Sequence, residues 1–221
     1  MATVLVVGAS RGIGRGLVRA CIERGDRVIA TVRQRDDVQS LRAEGAEVLV
    51  VDVANPASVS GLAWQLDGEE IDLAWYVAGV WDASTADSPP TQQQFDHVMH
   101  TNVLGAMQVL PQVMPCVEAA AGTMVCISSE MSLCETAESR AWLYSTSKAA
   151  LNMVVACSQQ AWPHANVVAM DPGWVQTAMG GAEAHISVEV SVQGMLRTLE
   201  GLQPEDRGRL LRYDGQRCTV A

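Results

Sequence analysis

The chain has 221 residues, of which 48% are hydrophobic and 18% charged, and a formal net charge of −10 at pH 7. Its length is sufficient for one α/β domain spanning residues 1–221. The acidic balance argues against nucleic acid and anionic membrane as partners, and no apolar run reaches the roughly 20 residues of a bilayer span. Six scattered cysteines without a C-x-x-C pair predict reduced thiols and a cytoplasmic location.

Strand and helix signals alternate along the chain. Strands are predicted near residues 3–7, 27–32, 47–51, 71–77, 123–128, 165–170 and 208–212, and helices near 12–24, 36–43, 56–66, 91–116, 142–162 and 187–201. Apolar strands separated by helices predict a Rossmann-like, doubly wound parallel sheet of about seven strands with helices on both faces. Ligands of such a sheet bind at its carboxyl edge. The segment 177–187 is predicted to be a short substrate lid.

A glycine-rich turn lies between the first strand and the first helix. Its sequence is Gly8-Ala9-Ser10-Arg11-Gly12-Ile13-Gly14. Gly8 permits a tight turn, Gly12 lets the backbone approach a pyrophosphate at a helix N-terminus, and Gly14 allows close packing of helix on strand. A glycine cluster alone indicates only a flexible turn, but its position at the end of the first strand predicts a dinucleotide site.

The end of the second strand carries no acid. Ala30-Thr31-Val32-Arg33 stands where an NAD enzyme tends to have Asp or Glu for the ribose 2′-hydroxyl. Arg33 and Arg11 of the glycine turn could instead bind a 2′-phosphate through charge-assisted hydrogen bonds, which predicts NADPH as cofactor. The alternative is that both are solvated surface arginines.

The only lysine of the chain, Lys148, follows Tyr144 by four residues, so the two share a face of the predicted helix. An ammonium group beside a phenol favours the phenolate and is expected to lower the pKa of Tyr144 from about 10. The tyrosine could then act as an acid near neutral pH. The alternative is an incidental surface lysine.

Three motifs together resemble the short-chain dehydrogenase/reductases. They are the glycine turn, Tyr144-Ser145-Thr146-Ser147-Lys148 and Asp171-Pro172-Gly173. The continuation Trp174-Val175-Gln176-Thr177-Ala178-Met179-Gly180-Gly181 is similar to the C-factor/sniffer-like carbonyl reductase branch, as is the stretch 208–215. The resemblance covers essentially the whole chain.

The resemblance implies four catalytic residues. Tyr144 would be the general acid, Ser129 would bind the carbonyl oxygen with Tyr144, and Ser128 is the fallback for that serine. Lys148 would also bind the nicotinamide ribose, and Asn102 would hold a water in a proton path to the lysine.

The resemblance also implies the cofactor contacts. Besides Tyr144, Lys148 and the two arginines, they are Gly8, Ser10, Gly12, Ile13 and Gly14 at the phosphates, Asp52 and Val53 at the adenine, Ala78 and Gly79 beside the fourth strand, and Pro172, Gly173, Val175 and Thr177 at the nicotinamide. The fourth strand departs from the Asn-Asn-Ala-Gly motif of the family and reads Tyr76-Val77-Ala78-Gly79. Apolar packing of Val77 is expected to replace a side-chain hydrogen bond within the sheet.

The sequence therefore predicts an NADPH-dependent oxidoreductase that reduces a small-molecule ketone or aldehyde to an alcohol. The alternative is a signalling or regulatory protein that keeps the fold and the cofactor with little turnover. The helices at 91–116 and 142–162 are expected to form a homodimer or homotetramer. No metal is expected, because His97 and His100 have no third ligand at a fitting spacing. Trp81, Trp142 and Trp174 either line the substrate pocket or pack in the core.

Overall fold

The computed structural model describes residues 1–218, which form seven strands and eight α-helices. The strands are β1 (Thr3–Val7), β2 (Arg27–Val32), β3 (Glu47–Val50), β4 (Leu73–Tyr76), β5 (Thr123–Ile127), β6 (Asn166–Asp171) and β7 (Leu210–Arg212). The helices are α1 (Gly12–Glu23), α2 (Val38–Ala43), α3 (Pro56–Val59), α4 (Leu62–Gln65), α5 (Gln92–Met99), α6 (Gly105–Ala119), α7 (Trp142–Ala161) and α8 (Val188–Glu200).

All seven strands pair in parallel in the order β3-β2-β1-β4-β5-β6-β7. The chain runs outward from β1 to β3, then returns to place β4 on the other side of β1. This reversal leaves a crevice at the carboxyl edge between β1 and β4, where a doubly wound sheet binds its ligand. The predicted Rossmann-like fold is confirmed.

Two apolar cores cover the two faces of the sheet. Alternate residues of β1 serve opposite faces, so that Leu5 and Val7 join one core and Val4 and Val6 the other. The first core contains buried residues of α6 and α7, and the second contains buried residues of α1 and α8. Burial on both faces explains why the strands are continuous apolar runs.

The predicted helix at 91–116 is interrupted. A π-helical segment, His100–Leu104, separates α5 from α6. The side chain of Asn102 in this segment is bonded to the backbone of Val80 after β4, which ties the bulge to the neighbouring strand. Single π-helical turns within helices occur frequently at functional sites. The prediction at 56–66 was also too long, because two short helices, α3 and α4, stand there.

Within residues 1–218, no helix is both long and apolar enough to cross a membrane. Nor does this part of the chain hold a group of three or more His, Cys, Asp or Glu side chains that could bind a metal ion. All six cysteines are free.

Candidate active site

The glycine turn between β1 and α1 is built for close approach of backbone to backbone. Gly8 has φ +94°, and a Cβ there would lie 2.8 Å from Ala78 N beyond β4. A Cβ on Gly14 would overlap the carbonyl oxygen of Gly8. Ser10 and Ile13 complete the turn, and Ile13 packs against the second core. The sequence therefore folds as a tight turn directly under the crevice between β1 and β4.

The N-terminus of α1 has the features of an anion site. Its N-cap, Arg11, is extended and provides no side-chain cap, and no acid lies in the first turn. Free N–H groups at such an end bind phosphate favourably. A Cβ on Gly12 would meet only the side chain of Thr177, at 3.3 Å. The turn thus has room and donors for a pyrophosphate, with Thr177 across from it.

Arg11 and Arg33 follow neighbouring strands at the same edge of the sheet and are both exposed. Among residues 1–218, neither has a carboxylate within the 4.0 Å that defines an ion pair, whereas Arg15 and Arg19 on α1 both pair with Glu44. The two guanidinium groups therefore remain available to an external anion.

Asp52 and Val53 lie two and three residues after the end of β3. Asp52 Oδ1 accepts a hydrogen bond from Ala54 N–H (3.1 Å), and Asp52 N–H donates to Ser58 Oγ (2.9 Å). Val53 is buried in the first core. The carboxylate is thus oriented by its own turn at the carboxyl edge of the sheet.

The segment after β4 passes close to the predicted catalytic residues. A Cβ on Gly79 would lie 3.4 Å from both Asn102 Oδ1 and Lys148 Nζ. Val77 packs against the second core, as expected for the lost asparagine. Tyr76 uses its hydroxyl group to donate to Thr101 O (2.7 Å). A Cβ on Gly79 would be at ordinary van der Waals distance from both groups, so the backbone after β4 passes close to the lysine.

Asn102 is fully buried within the π-helical segment. Its Oδ1 accepts from Val80 N–H (2.8 Å), and its Nδ2 donates to Val80 O (3.0 Å) and Ser147 Oγ (2.9 Å). Ser147 Oγ donates in turn to Tyr144 O (2.7 Å). Sequence reasoning assigned no role to Ser147, although it lies within the quoted Tyr144–Lys148 motif.

Tyr144 is buried near the start of α7, and burial raises its pKa to about 12. The negative charge of Asp171 raises this pKa further, while a hydrogen bond from Ser129 lowers it. The expectation that Lys148 lowers the pKa below its usual value is therefore wrong, because desolvation outweighs the favourable contacts. The phenol keeps its proton at neutral pH, as an acid must before it donates.

Lys148 is also buried, and desolvation lowers its pKa to about 8. Its Nζ donates to Ile127 O (2.7 Å) and lies 5.6 Å from the centroid of the Tyr144 ring. The ammonium group thus faces the ring and the Gly79 backbone. It is not an incidental surface lysine.

Ser128 and Ser129 point in different directions after β5. Ser128 Oγ is buried and donates to Asn152 Oδ1 (2.6 Å), which commits it to the protein interior. Ser129 Oγ accepts from Met131 N–H (3.2 Å) and also reaches Tyr144. Of the two serines, Ser129 is the one that the structure brings to the tyrosine.

The segment after β6 closes the site from the other side. Pro172 O accepts from Ser191 Oγ (2.7 Å), which anchors the segment to α8. Gly173 has φ +76°, and a Cβ there would lie 2.8 Å from the Tyr213 ring. Val175 is buried and forms an isolated parallel bridge with Ile186. The predicted lid at 177–187 is therefore held at both of its ends.

Three indole rings lie at this edge with much of their surface exposed, which excludes core packing for all of them. Trp81 is 41% exposed, Trp142 38% and Trp174 45%. Trp81 packs on the ring of Tyr144, with centroids 4.7 Å apart. Trp174 Nε1 donates to Gly180 O (2.8 Å), and its ring contacts His185 at 4.7 Å.

The chain matches the sequence model of the short chain dehydrogenase family over residues 2–185. It is 31% identical over 227 aligned residues to a 1-hydroxy-2-glutathionyl-2-methyl-3-butene dehydrogenase of Rhodococcus sp. (strain AD45), with 97% of this chain and 98% of that protein covered. It is 38% identical over 147 residues to the C-signal protein of Myxococcus xanthus, with 63% and 84% covered.

Solved structures share the fold over almost the whole chain. The carbonyl reductase Sniffer of D. melanogaster superposes with a TM-score of 0.90 at 23% identity, covering 98% of each chain. A short-chain dehydrogenase/reductase from Burkholderia multivorans with bound NADP has a TM-score of 0.86 at 27% identity, again with 98% of each chain covered. The chain therefore belongs to the short-chain dehydrogenase family of oxidoreductases and resembles its sniffer/C-factor branch.

Proposed function

We propose that this protein is an NADPH-dependent carbonyl reductase. The proposal is carried by one observation: Asn102 and Lys148 both meet the backbone at Gly79. A Cβ on Gly79 would lie 3.4 Å from both Asn102 Oδ1 and Lys148 Nζ. The backbone at Gly79 thus lies close to a buried ammonium group, which in turn faces a phenol that holds its proton at neutral pH. The family to which the chain belongs uses a nicotinamide cofactor, and the proposal places it beside these groups.

The phosphate end of the proposed site supports NADPH over NADH. Arg11 and Arg33 stand exposed and free of acidic partners within the described part of the chain, at the edge where an adenosine ribose would lie. Guanidinium groups form strong charge-assisted hydrogen bonds with phosphate oxygens. The Burkholderia structure with bound NADP is consistent with this choice.

When bound, NADPH would supply a hydride to the carbonyl carbon. In the proposed mechanism, Ser129 and Tyr144 hydrogen-bond the carbonyl oxygen and fix its orientation. Tyr144 gives its phenolic proton to that oxygen, so that the alcohol forms. Lys148 stabilises the phenolate left behind and would also hold the nicotinamide ribose. Asn102 orients a water that returns a proton to the site.

A panel of neutral ketones, aldehydes and quinones tests the proposal, with NADPH oxidation followed at pH 7. The unmodified protein should reduce at least one of them, and Tyr144→Phe should reduce it roughly 10²–10⁴-fold more slowly. Tyr213→Phe removes a hydroxyl of the same kind but keeps the ring that packs against Gly173, and it should keep near-normal turnover. If the Tyr144 variant were as active as the unmodified protein, the assignment of the acid would be wrong.

The similarity to the C-signal protein supports a second candidate, a cofactor-binding signalling protein. The same variants separate the two functions. A signalling protein would bind NADPH in a thermal-shift assay, turn over no member of the panel, and keep its biological effect in the Tyr144→Phe variant.

A further inference from the structure

Asn152 lies on α7, about two helical turns after Tyr144 and one turn after Lys148. Residues at positions i, i+4 and i+8 share one face of a helix. The proposed acid, the buried ammonium group and the Asn152 amide therefore follow one another along a single face of α7. The side chain of Asn152 is partly buried there.

The amide of Asn152 connects two serines that flank Ser129. Ser128 Oγ donates to Asn152 Oδ1 (2.6 Å), and Asn152 Nδ2 donates to Ser132 Oγ (2.8 Å). Ser132 Oγ donates in turn to Ser129 O (2.5 Å). One side chain of α7 thus holds the chain both directly before Ser129 and three residues after it.

The orientation of the Asn152 amide follows from the carbonyl oxygen of Ser129, which can only accept a hydrogen bond. Ser132 must give its hydroxyl proton to that oxygen, so its own oxygen is left to accept from Asn152 Nδ2. The carbonyl end of the amide then faces the Ser128 hydroxyl, which donates. If the amide were turned over, no proton would lie between it and Ser132.

The turn held in this way carries the Ser129 hydroxyl. Ser129 is extended, with φ −163° and ψ 150°, and its side chain caps the 3₁₀ turn Glu130–Ser132. Its Oγ accepts from Met131 N–H (3.2 Å), and its carbonyl oxygen accepts from Ser132 N–H (3.0 Å). Within the turn the hydroxyl only accepts, so its proton is left for a group outside the turn.

We propose that Asn152 is a positioning residue for carbonyl reduction, because it joins the Ser129 turn to the face of α7 that carries Tyr144 and Lys148. The inference rests on the proposed function. With the amide in place, the serine hydroxyl keeps one position relative to the phenol, and the two groups can bind the same carbonyl oxygen. A displacement of about 1 Å in such an arrangement can lower the rate roughly 100-fold.

Amide hydrogen exchange tests the connection without turnover. Asn152→Leu nearly keeps the shape of the side chain but bonds to neither serine. The backbone N–H groups of Met131 and Ser132 should then exchange about tenfold faster, because the hydrogen bonds that hold the turn are lost. Ser132→Ala breaks the same connection at its other end and should also speed exchange at Met131. It gives a result even if the Asn152 variant does not fold.

Asn166→Leu is the matched control. Asn166 Nδ2 also donates to a hydroxyl, Thr123 Oγ1 (3.2 Å), but both residues lie at the amino ends of their strands, β6 and β5. The same substitution at that end of the sheet should leave the exchange of Met131 and Ser132 unchanged, and kcat/KM as well. Equally fast exchange in both Leu variants would overturn the inference.

A double-mutant cycle tests whether Asn152 acts through Ser129. In the unmodified protein, Asn152→Leu should lower kcat/KM for a reduced ketone by about 10–100-fold. In a Ser129→Ala protein there is no hydroxyl to position, so the same substitution should lower kcat/KM by less than about twofold. An equal loss in both backgrounds would indicate a merely structural role and overturn the inference.

The two measurements also separate this inference from the proposed function. Unchanged exchange in the Asn152 and Ser132 variants of a protein that reduces ketones would overturn the role of Asn152 and leave the reductase function standing. Faster exchange in a protein that reduces no carbonyl would contradict the reductase function, while it would support the connection between Asn152 and the Ser129 turn.

Discussion

The indole ring of Trp81 packs on the phenol ring of Tyr144, with centroids 4.7 Å apart and planes inclined at 48°. A carbonyl oxygen bound at Tyr144 would bring its substituent against the exposed part of this indole. An aromatic substituent gains from such a contact more than an alkyl chain does, because ring–ring contacts add stabilisation beyond burial.

Trp81→Leu should therefore reduce kcat/KM for an aryl ketone by about 3–10-fold, which corresponds to the energy of one aromatic contact. The loss for an alkyl ketone of similar size should be smaller. Trp64→Leu is the control, since Trp64 is 82% exposed on α4. It should change kcat/KM for neither the aryl nor the alkyl ketone. Equal losses for both ketones would show that Trp81 supports Tyr144 without contacting the substrate.

The second prediction concerns the stability cost of Lys148. Its pKa in the folded protein is about 8, lower than the usual 10.5, because burial penalises the charged form. The unfolded chain therefore binds more protons than the folded protein between pH 8 and 10.5, so this lysine makes stability rise with pH across that window. At pH 7 the full penalty is present.

Lys148→Met removes this dependence. From pH 7 to pH 10, the free energy of unfolding of the unmodified protein should rise by about 2 kcal/mol relative to that of the variant. Loss of the hydrogen bond to Ile127 O changes the difference equally at every pH and does not affect this slope. Urea unfolding at several pH values measures the free energy of unfolding of both proteins. If the two free energies changed with pH in parallel, the lowered pKa of Lys148 would be contradicted.

The third prediction concerns cofactor choice. Each charge-assisted contact contributes about 1.5–3 kcal/mol, so NADPH should exceed NADH in kcat/KM by at least tens-fold. Arg33→Asp should strongly lower kcat/KM with NADPH, because it puts an anion beside the 2′-phosphate. The kcat/KM values for NADPH and NADH should therefore become more similar.

Arg207→Asp is the control. It makes the same change of charge in the turn before β7, away from the proposed phosphate site, and should leave kcat/KM unchanged for both NADPH and NADH. Titration calorimetry with NADP and NAD checks the binding independently of turnover. Equal affinities in the unmodified protein would leave Arg11 and Arg33 as ordinary surface charges.

The fourth prediction concerns assembly. Met107 on α6 and Met153 on α7 are exposed apolar side chains on the two helices expected to pair between copies of the chain. We predict a homodimer or homotetramer through these helices. Met107→Asp combined with Met153→Asp should release monomers, because each buried carboxylate would lack a partner. Light scattering at micromolar concentration measures this, with Trp64→Asp as control, and a monomeric unmodified protein would contradict the prediction.

The order of the elements could be predicted from the sequence because each strand is a short apolar run between helical patterns. All seven strands and the Rossmann-like sheet are confirmed, with boundaries that shift by one or two residues. The break at His100–Leu104 could not be predicted, because it depends on hydrogen bonds between Asn102 and Val80, which belong to different elements.

The sequence by itself determined the family, the residues of the proposed site and their order along the chain, because short motifs such as Tyr144–Lys148 act at fixed local spacing. Only the tertiary structure decided the protonation of Tyr144 and the separate directions of Ser128 and Ser129. Desolvation and charge depend on what surrounds a group in space, and those neighbours come from strands far apart in the chain.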